Sequence, residues 1–262
     1  MIQAMAVVAG QGNSAVASAT YSTEAKAVWI NVSGGSWETP GDWTNNIIPN
    51  NTGAMVDFSQ LTLATNTYVT LDGAWTVGDL IFGDAGNLYP WELDAGASGA
   101  LTLAATNTPA ITVGNQTTII AAPIGGVNGL IKTGAGTLML SGANSYSGGT
   151  TISQGILVIS NLTSSGTGSV TLGDANTGTN NVQLAIGTDN YISPINVSTN
   201  GTGTATISFT APINHNYSAL GLNRPVTVNA TSALANLLGP ITGNVGTLTF
   251  NGPSGGGSGW DV

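Results

Sequence analysis

The sequence predicts an all-β chain built as a parallel β-helix, a β-solenoid. Three observations carry that prediction. Short runs rich in β-branched residues and leucine recur along the chain, with Gly, Asn, Ser and Thr clustered between them. Thirty-eight glycines accompany a charged fraction of only 6%, a composition suited to many tight turns. Four runs crowd into residues 125–160, and strands that short bury a face only when similar units stack above and below them. No long stretch spaces its apolar residues as a helix would. The best helical candidate, residues 231–238, amounts to one or two turns.

Composition also removes several functional classes. Disorder needs low hydrophobicity and high charge, whereas this chain is 41% hydrophobic with a mean hydropathy of +0.22. A net charge of −9 with only three Lys and Arg argues against nucleic acid, which is bound through clustered cations. Lys26, Lys132 and Arg224 are far apart in sequence, so anionic membrane surfaces lose support as well. Nothing holds the roughly 20 consecutive apolar residues of a spanning helix, so no membrane insertion of that kind is expected. The absence of cysteine excludes disulfides, thiolate metal sites and cysteine nucleophiles.

Taken in order, residues 1–28 form a small-residue segment expected to supply a strand, paired within the chain or exchanged with a neighbouring subunit. Ala17-Ser18-Ala19 looks like a signal-peptidase site, but no basic region precedes it. Residues 29–66 carry Trp29, Trp37 and Trp43, read as an aromatic N-terminal cap over the first rung. The sharper alternative makes those three rings a stacking platform for sugars, with Glu38 and Asp42 as polar partners. Residues 67–251 hold the solenoid, and residues 252–262 a Gly-rich tail. At roughly 20–25 residues and about 4.8 Å per coil, the rod would have roughly ten coils and be about 50 Å long. Near-repeats at Gly78-Asp79, Gly83-Asp84 and Gly173-Asp174 predict Asp side chains that cap backbone N–H groups in turns.

Residues 125–160 have a specific pattern as well as a rhythm. Leu138 and Leu140 fall on one face of a strand, and Thr137 and Met139 on the other. Gly129, Leu130, Lys132, Gly134, Gly136, Thr137, Leu138, Leu140, Ser141, Gly142, Asn144, Tyr146, Gly148, Gly149, Thr150, Ile152, Gly155 and Leu157 follow the pattern of the passenger-associated transport repeat, also called the autotransporter-associated β-strand repeat. The stretch closely resembles that family. The resemblance implies a secreted parallel β-helix of a bacterial surface protein and says little about activity.

Chemistry is sparse. Glu92 and Asp94 share one face of a strand and Asp79 and Asp84 flank a turn, but solvation or turn capping accounts for both pairs better than glycoside hydrolysis does. His215 is the single histidine, set in an Asn-rich loop without any nucleophile motif. Asp174-Ala175-Asn176-Thr177-Gly178 begins like a calcium loop, yet Ala185 stands where the closing acidic ligand belongs. No catalytic residue, cofactor or metal is expected.

The expectation is therefore an extracellular or cell-surface structural protein. Its first form is a self-assembling filament or surface-layer subunit, polymerising with itself through its termini. Its alternatives are an autotransporter-like passenger or adhesin fragment, and a carbohydrate-binding β-helix module with cell-surface glycans as partners.

Overall fold

The computed structural model describes residues 2–4, 17–19, 26–211, 214–216, 218–231, 235–237, 239–243 and 247–252. Two parallel sheets of ten strands each dominate it. Each rung gives a strand to the first sheet, turns a corner, and gives its next strand to the second. Within the repeat, Leu130–Thr133 and Thr150–Ile152 belong to the first sheet, and Thr137–Leu140 and Gly155–Ile159 to the second. A three-stranded sheet of Ala74–Val77, Ala100–Leu103 and Ile124–Gly125 adds a third wall to three rungs.

The strands form because alternate residues can be stacked in register. In the second sheet Leu138 pairs with Leu157, Leu157 with Leu184, Leu184 with Ile207 and Ile207 with Val228. Leu140, Ile159, Ile186 and Phe209 make a parallel column beside it. Both columns are buried, while Thr137 and Met139 lie half-buried on the outer face, as the alternation predicts. In a parallel stack every rung repeats the last at about 4.8 Å, so one aliphatic position per rung suffices to continue the core. The inner faces of both sheets meet in that core.

Several sequence expectations change. Residues 29–66, read as a cap ahead of the solenoid, contribute rungs to it: Gly35–Ser36 joins the second sheet and Met55–Phe58 the first. Ala235–Leu237, inside the supposed helix at 231–238, is a strand paired in parallel with Asn214–Asn216. His215 therefore lies on a strand rather than in a loop. Near the N-terminus, Ile2–Ala4 pairs antiparallel with Ala17–Ala19 of its own chain. The rest of the segment expected to exchange, up to residue 25, and the tail from residue 253 lie outside the described residues.

Candidate functional site

The three tryptophans pack inward. Trp29, Trp37 and Trp43 are at most 1% exposed. Trp43 sits edge-on to both of the others at 4.9 Å between ring centroids, and Phe58 packs against all three. Their indole N–H groups donate to the Asn31, Pro49 and Trp37 carbonyls. A stacking platform needs an open ring face. Here the rings offer none, so the ligand-stacking role read into these residues gives way to a core role: they fill the first rungs where aliphatic columns have not yet begun.

The motif residues of the repeat lie together at two places. One is the corner from the first sheet to the second. Lys132 follows Leu130 on the inner face, in register with Ile111 below and Ile152 above, and it is fully buried. Its Nζ donates to the carbonyls of Thr133, Gly134 and Gln154 at 2.7–3.0 Å. A corner must turn some carbonyls away from the ladder, and unpaired buried carbonyls are costly; the ammonium pairs three of them. Burial pushes its pKa down to about 7. Gly155 explains itself here: its φ is +77°, and a Cβ would lie 2.4 Å from the Gly134 carbonyl and 2.9 Å from Nζ.

The second place is the return loop toward the first sheet. Asn144 is buried, accepting from the Ile124 N–H at 2.8 Å and donating to the Ser164 carbonyl at 2.6 Å. One carboxamide thus joins three successive loops. Beside it the buried Tyr146 hydroxyl meets Thr150 Oγ1 at 2.6 Å, and burial raises the phenol well above its ordinary value.

Arg224 repeats the corner device. Its Nη1 donates to the Gly201 and Gly203 carbonyls at 2.8 and 2.9 Å. Lys26 is bound to Asp57 at 2.6 Å. All three cations of the chain are thus engaged in the fold. Asp84 and Asp174 cap turns as the near-repeats predict, whereas Asp79 begins the strand Asp79–Phe82 and reaches a neighbouring rung. Asp84 accepts from the backbone N–H groups of Leu63, Gly86, Leu88 and Tyr89; burial pushes its pKa up, but these four donors outweigh that and hold it low. Asp79 accepts from the Ala110 N–H. Asp174 holds its own turn through the Asn176 N–H and Thr177 Oγ1 and takes a hydrogen bond from Ser153. These carboxylates are committed to the backbone and to neighbouring rungs. Glu92 and Asp94 lie outward on Trp91–Asp94, whose Trp91 and Leu93 are the buried residues. Partial burial, and then the Asp94 charge, raise the Glu92 pKa.

Among the described residues no group of three His, Cys, Asp or Glu is placed to hold a metal, and no helix is long and apolar enough to cross a membrane.

The corner and the loop are formed largely by one matched stretch. Residues 130–159 match the passenger-associated-transport-repeat family. The adhesin BmaC autotransporter of Brucella suis biovar 1 (strain 1330) is 38% identical to this chain over 91 residues, 35% of this chain. The chain spans 2% of that relative's length. No solved structure matches the chain.

Proposed function

We propose that this chain is a passenger segment of an autotransporter-type adhesin, displayed at the bacterial surface and acting by contact rather than by catalysis. One observation carries the reading: the transport-repeat motif occupies two rungs of the rod, and four of its polar residues are turned into the fold. Lys132, Asn144, Tyr146 and Thr150 are all buried, so the repeat builds a projecting shaft and leaves the outer faces free for contact. The similarity to an adhesin autotransporter supports the same reading. It takes precedence over the filament expected to assemble through the chain termini, because repeat and relative both favour display.

Purified chain coated on beads should make them adhere to cultured epithelial cells well above beads coated with an inert protein. Equal adhesion of the two would overturn the reading.

A further inference from the structure

A trough runs along the corner edge of the second sheet, from residues 154–156 of the transport repeat toward the C-terminal rungs. It consists of two grooves of ≈ 480 and ≈ 470 Å³ that share Thr204. Each is within the ~300–1,000 Å³ of ordinary ligand sites. The first lies beneath the polar loop that ends at Asn180 and Asn181, and the second continues to Arg224 and Thr249. Its floor is a ladder on successive rungs: Gln183 is in register with Thr206, Thr206 with Thr227, and Thr227 with Thr249. Polar side chains therefore recur about every 4.8 Å along the rod. The hydroxyls of Thr206 and Thr227 make no side-chain hydrogen bond to another described residue.

Three properties define what fits. No carboxylate lines either groove. The one cation, Arg224, is 8% exposed and turned into the corner, with Nη1 on two carbonyls and Nε and Nη2 buried. The trough thus sets hydroxyls and amides among the apolar residues Ala135, Ile156, Ala205 and Pro225, without exposed charge, on a chain whose net charge of −9 repels anions. Nor can an extended peptide add a strand there, because Val182–Ile186, Ala205–Phe209 and Val226–Ala230 are each paired on both sides. What remains is a ligand recognised by side-chain hydroxyls and amides, uncharged and repeating along its length.

We propose that this trough binds a neutral glycan chain laid along the rod axis. The proposal rests on the adhesive reading and names its ligand class. Several weak contacts in line suit such a ligand, since binding summed over rungs exceeds that of any one rung.

The test is binding of the intact chain to an array of neutral gluco-, manno- and galacto-oligosaccharides beside sialylated and sulfated glycans. Neutral oligosaccharides should bind, more tightly as they lengthen. Thr206→Val with Thr227→Val keeps β-branched strand residues and removes two hydroxyls, so binding should fall about tenfold with an unchanged circular dichroism melt. Asn180→Ala, outside the strands, should weaken binding as well. Preference for sialylated or sulfated glycans, neutral binding that survives these substitutions, or no glycan binding at all would overturn the proposal. Bead adhesion that persists in the substituted chain would overturn the trough and leave the adhesive reading standing. Neutral glycan binding without bead adhesion would do the reverse.

Discussion

Lys132→Met is expected to destabilise the fold by about 2–4 kcal/mol, because it leaves the carbonyls of the half-buried Thr133, Gly134 and Gln154 without their donor. Methionine fills most of the space, so the loss reports the hydrogen bonds rather than a cavity. The size of the loss depends on pH in a defined direction. Burial lowers the folded pKa to about 7, below the roughly 10.4 of an unfolded lysine. Between those values the unfolded state binds more protons, so the native chain's lysine-linked stability rises with pH across that window. Below about pH 7 both states are protonated and the folded state carries the desolvated ammonium. Methionine has no such dependence. Urea titrations should therefore show a larger difference between native and Lys132→Met chains at pH 9.5 than at pH 6. A difference that is constant across pH would show that the amine does not titrate in the corner.

Asn144→Leu should cost about 2–5 kcal/mol, since it strands a buried N–H at Ile124 and a buried carbonyl at Ser164. Leucine keeps the branched shape of asparagine but is bulkier, so part of the loss is overpacking. The urea midpoint should fall with little change in slope, the signature of a lost native interaction. A change below about 0.5 kcal/mol, the range of ordinary surface substitutions, would mean that the loops are not joined through this carboxamide. A solenoid amplifies such a loss, because each rung is held only by its neighbours.

The architecture was legible in the sequence where alternation is strict. Leu138 and Leu140 read correctly because two leucines flanking Met139 have a period of two and nothing else competes. Gly83-Asp84 read correctly as a capped turn because Asp accepts backbone donors at short range. The third wall was harder: Ala74–Val77 carries a half-buried Trp75 and an exposed Ala74, and Ile124–Gly125 is only two residues long. Ala235–Leu237 falls in a stretch that predicts helix because Ala and Leu favour helices locally, and pairing with a neighbouring rung overrides that propensity.

The sites were less legible for a physical reason. A lone lysine in a polar-looking stretch is normally solvated, and burying one requires acceptors that are assembled by the next rung, beyond any local window. The signal available was positional: Lys132 stands two residues after Leu130, on the inward face. Trp29, Trp37 and Trp43 suggested a sugar platform because aromatic residues between glycines suit either a surface or a core, and only their mutual packing decides. The trough is built by Gln183, Thr206, Thr227 and Thr249, which are about 20 residues apart in sequence and become neighbours only through rung register.

The central claim is a rod displayed as a single chain, so sedimentation velocity of the purified protein at high concentration tests it most directly. One monomeric species is predicted, with a sedimentation coefficient that does not change with concentration. Polymers that grow with concentration would contradict it.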